Sequence, residues 1–383
     1  MKQYRAWIAV GAVLSACAAD ETSKVVEDPV AEGLLRPDWL GFEMGVAPPT
    51  FVDEGKVEVT TDSKQLDVPA KEAPPSAPFD HGDPDAYDVT DLRTGHHYSV
   101  TLGAELARVA EARATRLRAE QPAGQAPTGS TTPKVIADFF DTRIRASTED
   151  GYSESSYYAA IGDFREDAGC TGVLISRDVY LTAAHCVTTP SGNLVERDFY
   201  PRQDRDVSHW GEWTATHVEV PKAWLRNNCT AREPFEPECA QYDVALVRVT
   251  RDAYLGEGHS WWFRVAAETH SEIHGRALRN YGYPNCGLPE SPPSCEPHVL
   301  YGDRNDCALG DDFNATAEHA PVTEHSCDTS KGQSGSPVFY WDDAGKPVLV
   351  GLHVGGSPAG AYPTPNWLRR FTPNTLNWIH ALL

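Results

Sequence analysis

Leu181-Thr182-Ala183-Ala184-His185-Cys186 reads as an apolar strand end running into a turn that presents a histidine. The small residues ahead of His185 let the backbone pack closely, and a bond from Cys186 back to Cys170 across a hairpin-sized loop would fix the imidazole. Around this stretch lie other short strand-like runs, Thr171 to Ser176, Trp213 to Val220, Tyr242 to Val249 and Val348 to Val354, separated by Gly, Pro, Asp and Asn. From Val135 onward this texture predicts an all-β domain. At the end of the chain, the apolar residues between Thr375 and Leu382 suit one short helix packed on the body.

Two further segments complement His185. In Tyr242-Asp243-Val244-Ala245-Leu246-Val247 a carboxylate enters an otherwise apolar strand, a costly place for a charge without a partner. Asp243 accepting the imidazole Nδ1 proton would set the tautomer and leave Nε2 free to take a proton from a nucleophile. In Lys331-Gly332-Gln333-Ser334-Gly335-Ser336-Pro337, glycines permit backbone angles that other residues resist, exposing Ser334 and aiming amide hydrogens at a substrate carbonyl. The amides of Gly332 and Ser334 are the candidate oxyanion hole.

A G-x-S-G string alone is weak, but the three segments in the order His, Asp, Ser form a much stronger signal. TAAHC, DVAL and GQSGSP resemble the trypsin-like serine peptidases, and especially their bacterial branch of glutamyl endopeptidases. The resemblance runs from about Val135 to the C-terminus, and nothing before Val135 takes part. It implies two six-stranded antiparallel β-barrels with the active site between them, His185 and Asp243 belonging to the first and Ser334 to the second. It also implies catalysis by His185, Asp243 and Ser334 on protein or peptide substrates, and a Cys170–Cys186 disulfide beside the histidine. Nearness in sequence suggests three further pairs, Cys229 with Cys239, Cys286 with Cys295 and Cys307 with Cys327. A monomer is expected, with no cofactor and no metal.

Specificity stays open. Asp328 stands six residues before Ser334, a spacing that in trypsins places a carboxylate under a basic side chain. Against cleavage after Arg or Lys, Gln333 replaces the aspartate that trypsins carry just before the nucleophile, so their activation salt bridge to a new N-terminus is missing. Asp328-Thr329 and Gly351-Leu352-His353-Val354-Gly355-Gly356 also match the glutamyl endopeptidase pattern. That pattern implies that Thr329 and His353 hydrogen-bond a substrate carboxylate, with His353 adding positive charge when protonated. A catalytically silent relative that only binds a partner is the alternative of another class.

The 383 residues carry 33 Lys+Arg against 55 Asp+Glu, a formal net charge of -22, which argues against a nucleic-acid or anionic-membrane partner. Lys2 and Arg5 precede the apolar run Ala6 to Leu14, as in a signal peptide, and Leu14-Ser15-Ala16-Cys17 resembles the bacterial lipobox. Residues 1–16 therefore read as a signal peptide, with Cys17 the lipidated residue of a secreted or membrane-anchored lipoprotein outside the cytoplasm of a bacterial envelope. Removing Cys17 from the nine cysteines leaves an even number, which suits disulfide pairing.

Residues 17–134 are acidic and proline-bearing and read as a poorly ordered pro-segment or tether, with Ala73-Pro74-Pro75-Ser76-Ala77-Pro78 as a linker. One helical pattern follows Thr101, through Leu102, Leu106, Val109 and Leu117. Val135-Ile136 after Lys134 resembles the family's mature N-terminus, so cleavage there would both mature the peptidase and release it from its lipid. His96-His97 reads as solvated, Asp303, Asp306, Asp311 and Asp312 as an exposed acidic loop, and Trp261-Trp262 as packing.

Overall fold

Residues rich in Val, Tyr, Thr and Leu build strands throughout the computed structural model, which describes residues 24–27, 50–56, 59–60, 86–102, 143–146, 157–165, 169–189, 192–195, 197–230, 237–251, 262–288, 291–292, 294–303, 307–310, 320–356 and 366–382. In the leader lie β1 (Lys24–Val25), β2 (Thr50–Lys56), β3 (Val59–Thr60), β4 (Ala86–Asp91) and β5 (His96–Thr101). Then come β6 (Arg143–Arg145), β7 (Ile161–Phe164), β8 (Cys170–Leu174), β9 (Val179–Thr182), β10 (Leu194–Val195), β11 (Tyr200–Pro201), β12 (Gln203–Asp204), β13 (Val207–Ser208), β14 (Trp213–Pro221) and β15 (Ala245–Arg251). The remaining strands are β16 (Arg264–Val265), β17 (Arg279–Gly282), β18 (Tyr301–Asp303), β19 (Val322–His325), β20 (Pro337–Trp341), β21 (Pro347–Gly356) and β22 (Asn366–Arg370), followed by the expected C-terminal helix, Pro373–Leu382.

The strands form two large sheets. One has the order β1-β2-β5-β4-β14-β15-β9-β8-β7-β11, the other β19-β22-β21-β20-β17-β18-β6 with β16 beside β21. The all-β class matches the sequence reading, but neither sheet is a continuously hydrogen-bonded barrel. The first returns on itself through one isolated bridge, Phe199 to Trp213, which joins the residue before β11 to the start of β14. The second returns through the bridges Leu278–Cys307 and Leu309–His325. The ladders are thin at these closures because β11 has two residues and the chain between β18 and β19 meets its neighbours at single positions.

The first core is aromatic: Phe199 stacks on Tyr180 with ring centroids 4.3 Å apart and packs against Phe164. All four expected disulfides form, Cys170–Cys186, Cys229–Cys239, Cys286–Cys295 and Cys307–Cys327. Such pairing suits an oxidising compartment outside the cytoplasm. Among the described residues no helix is long and apolar enough to cross a membrane.

The leader departs from its expected lack of order. Strands β2, β4 and β5 pair in register and join the first sheet at β14, with Phe51, Tyr87, Val89, Tyr98 and Val100 buried in the same core as the peptidase strands. His96 and His97 are not simply solvated. They sit on β5, where His96 meets Asp53 and His97 contacts Thr90 and Asp88. Asp303 is buried in β18 and Trp262 is 39% exposed, both against expectation. Cys17, the proline-rich linker, most of the expected helix after Thr101, the Lys134–Val135 junction, Trp261, Asp306, Asp311 and Asp312 lie outside the described residues.

Candidate active site

His185 sits in the single helical turn Ala184–Cys186 that follows β9, with Cys186 bonded back to Cys170 at the start of β8. Asp243 lies in a turn two residues ahead of β15 rather than within the strand, and that turn follows Cys239, whose disulfide to Cys229 braces it. The carboxylate is buried and engages the histidine twice. Oδ1 accepts the His185 backbone N–H at 3.0 Å, and Oδ2 lies 2.7 Å from His185 Nδ1. Burial pulls the His185 pKa down, but the Asp243 charge and hydrogen bond outweigh it and raise the pKa above the ordinary imidazole value.

Ser334 lies in the turn before β20. Its carbonyl accepts the Thr171 N–H of β8 at 2.8 Å and lies 3.8 Å from Cys186 Sγ, so the second sheet's loop is tied beside the histidine turn of the first. Thr171 reinforces the junction: its hydroxyl accepts the Tyr283 N–H, and its carbonyl accepts the Thr182 hydroxyl. The Ser334 hydroxyl makes no hydrogen bond among the described residues, so the loop is brought to the histidine without a direct bond between the two side chains.

Gly332 has φ +99°, and a Cβ there would press on the backbone of Tyr283, Pro284 and Asn285; glycine is what that turn requires. Among the described residues the N–H groups of Gly332 and Ser334 have no acceptor, which leaves two unpaired donors on one loop beside the hydroxyl.

Position 333 shows how the loop is held without the trypsin aspartate. Gln333 is fully buried, and its Oε1 accepts from Arg143 Nη1 at 2.8 Å and from the Ser330 N–H at 2.9 Å. Arg143 Nη1 also reaches the Ser330 hydroxyl at 2.6 Å. Sequence reasoning missed Arg143. Its one available signal was an arginine in the strand-like run Arg143-Ile144-Arg145, and nothing local points it at residue 333.

Of the candidate specificity residues, His353 is on β21 beside the Ser334 loop: its carbonyl accepts the Gly335 N–H at 2.7 Å, and its N–H donates to the Ser336 carbonyl at 2.9 Å. It is not alone. His325 on β19 lies behind it, with His325 Nε2 3.1 Å from His353 Nδ1. The Cys327 N–H donates to His325 Nδ1, so the His325 proton is on Nε2 and is given to His353 Nδ1. His353 therefore carries its own proton on Nε2, which has no partner among the described residues. Burial lowers the His325 pKa to about 3, and burial, with His325, His185 and Arg143, holds His353 well below the ordinary value. Burial thus favours the neutral form of His353, in which Nε2–H is a donor. Asp328 and Thr329 are half-buried, and the Asp328 N–H donates to the buried Asp303 carboxylate at 3.1 Å.

The Trypsin family model matches residues 147–379. The chain belongs to the trypsin family. Solved structures similar to it include a Glu endopeptidase in complex with MPD, at 20% identity and TM-score 0.47, covering 64% of this chain and 97% of that one. Another is the protease Anisep from Arthrobacter nicotinovorans, at 18% identity and TM-score 0.41, covering 60% of this chain and 98% of that one. A search of curated proteins finds no match. As a trypsin-family serine endopeptidase, the chain acts on peptide bonds.

In this trypsin-family loop, Arg143→Ala is expected to lower kcat by about 10- to 100-fold with a smaller change in KM, because the loop that carries the candidate oxyanion amides of Gly332 and Ser334 loses its support. Arg143→Lys should recover part of the loss, since one ammonium reaches fewer acceptors than the guanidinium fork. Steady-state kinetics on a single peptide, with the melting temperature of each variant measured alongside, checks both.

Proposed function

We propose that Ser334 is the nucleophile of an extracytoplasmic endopeptidase that cuts after Glu through an acyl-enzyme. The observation that carries the catalytic part is the doubly bonded His185–Asp243 pair beside a loop with two unpaired amides. With Nδ1–H given to Asp243, His185 Nε2 accepts the Ser334 proton as Oγ attacks the scissile carbonyl carbon. Gly332 and Ser334 N–H groups stabilise the developing oxyanion, and removing such a donor typically costs about 3 kcal/mol of transition-state stabilisation. His185 then protonates the leaving amine, and water attacks the acyl-enzyme with His185 again as base.

Cleavage after Glu is supported by the His325–His353 relay, which fixes a neutral Nε2–H donor on the strand paired with the nucleophile loop. A carboxylate side chain accepts such a donor, and Thr329 offers a hydroxyl close by in sequence. The second reading, cleavage after Arg or Lys, rests on Asp328. Matched peptides with Glu, Gln, Asp, Arg or Lys before the scissile bond separate the two: preference for Glu over Gln supports the relay, and preference for Arg or Lys discards it.

His353→Leu is expected to erase most of the Glu-over-Gln preference, about 10-fold or more in the ratio of kcat/KM values, with a smaller fall for Gln. Because both histidines titrate far below neutrality, the wild-type ratio should stay flat from about pH 6 to 8. A ratio that falls as pH rises through this range would instead mark a protonated, charged His353. Cys17 as the lipid attachment point and residues 1–16 as its signal peptide complete the proposal, and mass spectrometry of the envelope-extracted protein tests them.

A further inference from the structure

β14 is a nine-residue strand with two different neighbours along one edge. At its start, Trp213 exchanges two hydrogen bonds of 3.0 Å with Phe199, the contact that returns the first sheet on itself. Beyond that point no peptidase strand among the described residues pairs with this edge. Residues 217–221 are instead paired with leader strand β4 in the register His217 to Asp91, Val218 to Thr90, Glu219 to Val89, Val220 to Asp88 and Pro221 to Tyr87. An unpaired row of N–H and C=O groups is a template for strand addition, and here the chain's own leader fills it.

The attachment is more than an edge ladder. Tyr87 stacks on Trp378 of the C-terminal helix with ring centroids 4.5 Å apart and planes 6° apart, so the leader touches the last element of the chain as well as the first sheet. Just past β14, Lys222 Nζ reaches Ser99 Oγ at 2.5 Å and lies 3.8 Å from the buried Asp88 carboxylate. The Leu92 N–H donates to the Thr216 carbonyl at 2.8 Å. Behind these contacts Phe51, Val89 and Val100 are at most 1% exposed and share one core with Val218 and Val220 of β14. Removing this sheet would expose apolar residues on both sides of the interface at once.

We propose that leader strands β1, β2, β4 and β5 are a built-in part of the first sheet, which stays bound when the chain is cut within residues 103–142. Maturation by cleavage at Lys134 then yields a two-chain peptidase, and a lipid on Cys17 keeps holding the active fragment to the envelope. This replaces the expectation that cleavage releases it. The inference rests on the leader contacts alone and is independent of the bond that the peptidase cuts.

The test uses the full chain carrying Ser334→Ala, so that no self-digestion occurs, with a recognition sequence for a site-specific protease placed in Pro127-Thr128-Gly129-Ser130. After complete cutting, both fragments are expected to co-elute at the uncut volume in size-exclusion chromatography and to separate only in denaturant. A leader fragment eluting alone, whether the remainder stays folded or aggregates, overturns the proposal. In the same cut protein, Tyr87→Ala is expected to weaken the fragment complex by about 100-fold, read as dissociation on dilution. An unchanged dissociation constant would overturn the docking face assigned to Tyr87 and Trp378.

Discussion

Ser334→Ala is expected to lower kcat/KM for any cleaved peptide by about four to six orders of magnitude while leaving the melting temperature within about a degree. The size follows from what is removed. Without Oγ there is no acyl-enzyme, and water must attack with only the oxyanion donors and substrate binding to help. The stability side follows from the fold: the Ser334 hydroxyl holds no hydrogen bond among the described residues, whereas its backbone, unchanged by the substitution, keeps the 2.8 Å bond from Thr171. His185→Ala combined with Ser334→Ala should cost little beyond either change alone, because the residues act as a unit. Single-turnover assays at high enzyme concentration read these rates. A Ser334→Ala protein that retained more than about a hundredth of the activity would reject Ser334 as nucleophile.

The parts of this site that were legible in the sequence are those whose chemistry is local. TAAHC places a histidine, a close-packing alanine pair and a disulfide cysteine within six residues, and the structure finds the turn and the bond to Cys170 together. The glycines around Ser334 are similar, since a positive φ at Gly332 and Gly335 is written in residue type. What stayed hidden depends on residues far apart in the chain. His325 looks like an ordinary strand position in Val322-Thr323-Glu324-His325 until β19 and β21 place it against His353. Arg143 meets Gln333 across 190 residues of sequence. The burial that favours a neutral His353 is likewise recorded in no motif.

The leader was misread for a related reason. Its composition is acidic and rich in proline, the pattern of a chain unable to bury enough apolar surface by itself. Ala86-Tyr87-Asp88-Val89-Thr90-Asp91 and His96-His97-Tyr98-Ser99-Val100-Thr101 do alternate, but they make one short hairpin that is marginal alone. Its stability is supplied by β14 and Trp378, more than a hundred residues downstream. Local composition therefore carries no signal of the pairing that orders β4 and β5.

Asp243→Asn is expected to lower kcat by about four orders of magnitude and, at the same time, to shift the acid limb of the pH profile downward. The two effects share one cause. In the proposed mechanism Asp243 Oδ2, 2.7 Å from His185 Nδ1, fixes the tautomer whose Nε2 lone pair takes the serine proton. An amide in its place can donate to Nδ1 instead of accepting, which puts the imidazole proton on the wrong nitrogen. The sign of the pH effect follows from the causes of the His185 shift. Activity requires neutral imidazole, so kcat/KM rises with pH through the His185 pKa, which in the native site lies above the ordinary value. Burial alone would hold it below; the carboxylate charge and its hydrogen bond are what raise it. Asparagine removes the charge and keeps the burial, so the residual activity of the variant should persist to lower pH than that of the native protein. Profiles of kcat/KM from about pH 4 to 9 on one peptide read the shift. A limb that stayed in place, or moved upward, would show that Asp243 is not the group that raises His185 and would require another carboxylate in its role.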